Sequence, residues 1–346
     1  MNPGGLPRSR PVSGAPWRTA PKVEQVQELV SIDEIRAAAA GLEGVALRTP
    51  LVPFPRIEPR LLLKPESLQP TGSFKLRGAY TAISALSAEA RRRGVVAHSS
   101  GNHAQAVAYA AALLSVPAAV VIPANAPPVK IAATRAFGAE VVISEPGLSA
   151  RIAATDELVA RHGYTIIPPF DDRMVIAGQG TVGLEIATDC PQVDLVVVPV
   201  SGGGLISGIA AAVRACCPRA AVVGVEPELA ADARDSFRRG ERVAWVAADV
   251  QRTIADALRV EQVGALPFAH IRELVTDMIT VTEDEMLTAV RLLARQGRLV
   301  AEPGGAAAVA ACLFRRGELP EAGTQVAVLS GGNIDPVLLA GILAAD

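Results

Sequence analysis

Short apolar runs alternate along the chain with longer Ala-rich stretches whose apolar positions return about every 3.6 residues. Val95–Ala97, Ala118–Ile122, Glu140–Ile143 and Tyr164–Ile167 have the length and composition of strands, and the stretches 103–115, 128–137 and 148–162 between them read as helices. The rhythm resumes with a strand at Val193–Val198, a glycine loop, a helix over 205–216 and a strand at Ala221–Val225. It closes with a strand at Gln325–Leu329, a second glycine loop and a helix over 335–345. Strands that are apolar throughout, joined by helices, predict parallel sheets covered by helices, an α/β architecture. Ser31-Ile32-Asp33-Glu34 opens the first helix, with Ser31 as N-cap and acids in the first turn. Ahead of it, residues 1–22 hold five prolines, four basic residues and no acid, with no apolar period. That stretch reads as disordered, because its prolines would break a transit-peptide helix and it lacks a hydrophobic signal core. We place the disordered extension at residues 1–30.

Composition narrows the classes. At 346 residues and 50% hydrophobic, the chain has room for one large domain or two medium ones with a sizeable core. With aromatics at 3%, that core is packed from Ala, Val, Leu and Ile. Basic and acidic residues number 33 and 35, a net charge of −2, so no global field draws the chain to nucleic acid or acidic lipid. No apolar run approaches the roughly 20 residues of a membrane span. Cys190, Cys216, Cys217 and Cys312 have neither disulfide-scaffold nor metal-ligand spacing, and a reducing cytoplasm is the expected compartment.

Only four of the 33 basic residues are lysines: Lys22, Lys64, Lys75 and Lys130. Leu61–Leu63 reads as a buried strand, followed by a turn through Pro70, Thr71 and Gly72, which places Lys75 in the first turn of a helix. A helix N-terminus disfavours a cation. Lys75 is therefore either a solvated surface residue or an amine whose proton is destabilised, available as a Schiff-base nucleophile, a role arginine could not fill. Ser201-Gly202-Gly203-Gly204 lies between a strand and a helix beginning at Leu205. It is either a plain strand-end turn or a phosphate cradle of backbone N–H groups. Ser207 stands where the dinucleotide fingerprint needs its third glycine, so the phosphate need not belong to a nucleotide. Two further strand ends carry Ser99-Ser100-Gly101-Asn102-His103 and Ser330-Gly331-Gly332-Asn333. Three such loops and a lysine gather at the carboxyl edge of the sheet, where open α/β folds bind ligands.

From about Ser31 to the C-terminus these segments, in order PTGSFKLRGA, SSGNHAQA, AGQGT, VVPVSGGGL, GVEP, TIAD, TVTEDE, EPGGAAAVAA and VLSGGN, resemble the fold-type II pyridoxal-phosphate enzymes. Within these they are similar to the threonine/serine dehydratase and serine racemase group. The resemblance implies two open, mostly parallel twisted sheets with helices on both faces, like tryptophan synthase β, and the cofactor in the cleft between domains. It implies a large domain of 31–94 and 171–346 and a small one of 95–170. It further implies that Lys75 holds pyridoxal 5'-phosphate as a Schiff base, that Phe74 lies near the ring and that Asn102 bonds the ring hydroxyl. Gly202, Gly203, Gly204 and Leu205 would bind the phosphate, and Ser330 the pyridine nitrogen. A serine there, unlike a carboxylate, would not hold a proton on the ring, favouring β-elimination over transamination. The implied activity is conversion of L-threonine or L-serine to 2-oxobutanoate or pyruvate plus ammonia, in a homodimer or homotetramer.

Ser100 resembles the family residue that exchanges a proton on the cofactor's other face, which would permit racemisation; read alone, it is a turn hydroxyl bonding its own backbone. Glu226 and Asp232 read alone as solvated loop acids, whereas by resemblance Glu226, Ala230 and Asp232 are a site for Mg²⁺ or Ca²⁺. Ala257 stands where many relatives have a glycine close to the ring. The chain ends at Asp346, after the last helix, so the regulatory domain of feedback-inhibited threonine dehydratases is not expected. The rival activities are serine racemase and hydroxyaspartate dehydratase. More distant are a β-replacement enzyme of the cysteine synthase type and a cofactor-less binding protein.

Overall fold

The computed structural model describes residues 28–55, 60–99, 101–124 and 128–345. Its strands are β1 (Val52–Pro53), β2 (Arg60–Pro65), β3 (Val95–His98), β4 (Ala118–Pro123), β5 (Glu140–Ser144), β6 (Thr165–Ile166), β7 (Leu195–Pro199), β8 (Ala221–Pro227), β9 (Asp277–Val281) and β10 (Thr324–Leu329). They form a six-stranded sheet, ordered β1-β2-β10-β7-β8-β9, and a four-stranded sheet, ordered β5-β4-β3-β6. All pairings are parallel except that of β1 with β2. The apolar runs behave as their composition demands: every residue of β7 is buried, because helices cover both faces of the sheet. One face packs on the helix Pro303–Phe314 and the other on the helix Gly204–Cys216.

A core poor in aromatics needs close backbone approach instead of large side chains. The helix Arg173–Asp189 supplies it, lying against both Gly204–Cys216 and the helix Lys75–Ala85. A Cβ at Gly208 would come within 2.4 Å of the Gly180 nitrogen, so any larger residue there would force these helices apart. The helix Lys75–Ala85 shares its core with the smaller sheet, Leu76 and Ile83 packing with Val95, Ala106 and Val107. The lysine-bearing helix therefore joins the two sheets.

The pattern of apolar runs did not predict β9, whose Asp277-Met278-Ile279-Thr280-Val281 mixes polar and apolar positions, yet it pairs with β8 and completes the larger sheet. Of the expected extension, residues 1–27 lie outside the described residues. Packing begins before Ser31: Val30 is buried, and its N–H donates to His270 Nε2 at 2.9 Å. No helix among the described residues is long and apolar enough to cross a membrane. The carboxyl ends of β2, β10, β7 and β8 share one edge of the larger sheet, and the candidate site lies along it.

Candidate active site

β2 leads through a short 3-10 turn, Glu66–Leu68, and a tight turn at Gly72 into the helix that begins at Lys75. The Lys75 amine donates to the Pro169 carbonyl at 2.7 Å and stands 5.1 Å from the centre of the Phe74 ring. Among the described residues no carboxylate bonds it, and burial pushes its pKa down to about 8. The backbone around it is tied to the end of β10. The Phe74 N–H donates to Ser330 O at 3.1 Å, and Ser73 pairs with Gly331 in an isolated bridge.

The residue after Pro169 connects this amine to the glycine loop. Phe170 packs its ring on Gly202 so closely that a Cβ there would come within 2.2 Å of it. At Gly203 the backbone is left-handed, φ +89°, a conformation that favours glycine and that turns the chain into the helix Gly204–Cys216. Unpaired N–H groups at that N-terminus form an anion site. Ser201 Oγ, Thr71 Oγ1 and Ser73 Oγ are buried with no hydrogen-bond partner among the described residues. Orphaned hydroxyls beside a lone amine and a glycine loop are the polar inventory that a phosphorylated aldehyde would satisfy.

Asn102 opens the helix Asn102–Leu113 of the smaller sheet. Its Nδ2 donates to Glu302 Oε1 at 2.6 Å, and its Oδ1 accepts from Asn333 Nδ2 at 2.8 Å. Asn333 Nδ2 also donates to Thr71 O, in the turn ahead of Lys75. His103 is buried with Nε2 2.8 Å from Ile167 O, so that nitrogen carries the hydrogen. Burial, and after it the charge of Lys75, lowers its pKa to about 3, which keeps the ring neutral. Ser100 lies outside the described residues.

The fold thus gathers Phe74, Lys75, Asn102, the Gly202–Leu205 loop and Ser330 at one edge. Glu226, Ala230 and Asp232 form a separate buried group at the end of β8. Glu226 accepts from the amides of Ala233 (3.2 Å) and Arg234 (2.7 Å), and Asp232 from that of Val263 (2.7 Å). Burial raises both carboxyl pKa values, that of Asp232 to about 7. The two places are connected through Val263 and Gly264: the Gly264 N–H donates to Gly202 O at 3.1 Å. Among the described residues no cluster of three or more His, Cys, Asp or Glu side chains is arranged to hold a metal. Ala257 is exposed, in the short turn Asp256–Leu258, and its neighbour Leu258 lies against Gly304.

Sequence reasoning missed Glu302. It precedes Pro303-Gly304-Gly305 at a helix start, which is the one signal that could have singled it out. Comparison with known proteins gives a consistent picture. The family described as "Pyridoxal-phosphate dependent enzyme" matches residues 42–331. An L-threonine ammonia-lyase of Thermotoga maritima is 42% identical over 314 residues, 89% of this chain and 76% of that protein. An L-threo-3-hydroxyaspartate ammonia-lyase of Saccharomyces cerevisiae is 42% identical over 281 residues, 81% of this chain and 85% of that one. The structure of maize serine racemase matches with a TM-score of 0.87 at 35% identity, covering 91% of this chain and 97% of the other.

Proposed function

Since the chain belongs to the pyridoxal-phosphate-dependent enzyme family, we propose that it is an ammonia-lyase of 3-hydroxy amino acids. It converts L-threonine to 2-oxobutanoate and L-serine to pyruvate, with release of ammonia. The bound cofactor supplies an aldehyde for imine formation and a ring that takes up electron density from Cα. Everything else falls to residues of the chain. Lys75 Nζ, its pKa lowered by burial, is a neutral nucleophile in a useful fraction of molecules near neutral pH, and the same amine removes the Cα proton. The amides of Gly202, Gly203, Gly204 and Leu205 would hold the phosphate at the N-terminus of their helix. Phe74 would flank the cofactor's ring and Asn102 would donate to its oxygen. A hydroxyl at Ser330 would meet the pyridine nitrogen without protonating it, which would favour loss of the β-hydroxyl. By the same resemblance Ser100 would exchange a proton with the substrate.

The observation that carries this reading is the lone Lys75 amine, bonded to Pro169 O and joined through Phe170 to Gly202. Its test is colour and product. The purified protein is expected to be yellow, to bleach with borohydride, and to release 2-oxo acid from L-threonine or L-serine without added thiol. Lys75→Ala should be colourless and slower by about a thousandfold or more, the loss of a nucleophile and a base together. A colourless wild type would sink the proposal. The yeast relative and the maize structure support L-threo-3-hydroxyaspartate and serine racemisation as second activities. A panel of 3-hydroxy amino acids, read by oxo acid and by chiral analysis, ranks them.

The residues at the end of β8 suit a hard cation, since two buried carboxylates face one another's charge and hydrogen bonds from three amides compensate them only in part. In this reading Glu226, Asp232 and the Ala230 carbonyl take Mg²⁺ or Ca²⁺, which would steady Val263, Gly264 and so the Gly202 loop. Excess EDTA should lower the melting temperature and added Mg²⁺ or Ca²⁺ restore it. A melting curve indifferent to both removes the cation.

A further inference from the structure

Glu302 is the N-cap of the helix Pro303–Phe314, but its side chain does not cap that helix. It turns toward Asn102 and is 3% exposed, a carboxyl group placed inside the protein. The chain makes room for it with a glycine: a Cβ at Gly331 would come within 2.2 Å of Glu302 Oε1. The hydrogen bonds from there form a row with acceptors at both ends. Thr71 O accepts from Asn333 Nδ2, which also donates to Asn102 Oδ1, and Asn102 Nδ2 donates to Glu302 Oε1. A backbone carbonyl cannot donate, which fixes Asn333, and reversing Asn102 would set its Oδ1 against Glu302 Oε1 and its Nδ2 against Asn333 Nδ2. Asn102 keeps one N–H that these partners do not use.

We infer that Glu302 is a positioning residue that fixes the Asn102 amide with its spare N–H, and never its carbonyl, toward the cofactor's ring oxygen. This rests on the proposed placement of Asn102 at that oxygen. The bond to Glu302 is short and shielded from water, the condition under which such a bond holds an orientation most firmly. It also ties the two sheets' layers together, since Asn102 starts a helix of the smaller sheet, Glu302 starts the helix packed on the larger one, and Asn333 follows β10. A donor aimed at the ring oxygen favours its anionic form, which absorbs in the visible, whereas a reversed amide would favour the neutral, near-ultraviolet form.

The experiment compares holoenzymes of wild type, Glu302→Ala, Glu302→Gln and Gly331→Ala by the absorption spectrum of the bound cofactor. Pyridoxal phosphate is then titrated into each apo chain. Glu302→Ala should move the visible band to the near ultraviolet and weaken cofactor binding by about tenfold, or about 1.4 kcal/mol. Glu302→Gln, which keeps an acceptor of the same shape, should recover most of both, a rescue that a purely structural role does not produce. Gly331→Ala, which displaces the carboxylate without removing it, should resemble Glu302→Ala. If Glu302→Ala does not fold, Gly331→Ala and Glu302→Gln decide the matter. A visible band unchanged in Glu302→Ala or Gly331→Ala, or a Gln variant as impaired as Ala, overturns the inference alone. A wild type with no visible band overturns it together with the proposed function.

Discussion

Lys64 and Lys75 stand on either side of the turn that leads into the site; Lys64 is fully buried and Lys75 half-buried, and they keep different company. The Lys64 ammonium is wholly inside and bonds Glu185 and Thr49 O. Next to it Arg77 bonds Glu66 and Glu185, so two cations and two carboxylates balance. Burial holds the Lys64 pKa below its ordinary value, though Glu185 and Glu66 draw it part of the way back. Lys75 feels the first effect without the second, and its partner is a neutral carbonyl. Compensation therefore separates a cation that belongs to the scaffold from an amine free to react. The two are mechanically joined, because Arg77 lies on the helix that Lys75 begins. The balanced network pins the first turn of that helix and so fixes the base of the reactive side chain.

The sharpest way to break the contrast is to unbalance the scaffold. Glu66 is fully buried, and Glu66→Ala leaves Arg77 and Lys64 sharing Glu185 alone. Removing one partner of a buried pair costs roughly 3–5 kcal/mol, chiefly through the charge left behind. Urea unfolding should show the midpoint falling with the m-value unchanged. An unmoved midpoint would mean that the network contributes nothing and that Lys64 and Lys75 are held alike.

Much of this was legible in the sequence, and the rest was not for identifiable reasons. Apolar runs bounded by glycine marked most of the strands, because a strand buried on both faces has no polar alternation to obscure it. The capping box of Ser31 and Glu34 is likewise a local matter, and it forms in the structure. The loops of the site were visible because backbone N–H groups at a strand-to-helix junction need glycine and hydroxyl residues in sequence order. Glu302 and the Lys64–Arg77 network were not visible. A charged residue reads as solvated unless its partner is known, and the partners here come from distant segments: Asn102 for Glu302, Glu185 for Arg77. Strand order is hidden for the same reason. β2 pairs with β10, at the far end of the chain, and nothing in either run names the other.

The subtler test acts on Lys75 in the apo chain and turns on sign. Its pKa is about 8 folded and takes the ordinary value of 10.5 unfolded. Below about pH 8 both states hold the proton and the folded state bears the whole of this desolvation cost. Between 8 and 10.5 the unfolded chain binds more proton, so the free energy of unfolding rises with pH, and above that range the cost is gone. Lys75→Met never bears it. Urea unfolding at a series of pH values should find Lys75→Met more stable than wild type below pH 8, with the gap closing as the pH approaches 10.5. Other titrating groups cancel in the difference between the two proteins. A gap that stays constant across this range would show that the Lys75 amine is as well compensated as that of Lys64, and the distinction between scaffold cation and reactive amine would fail at its more important member.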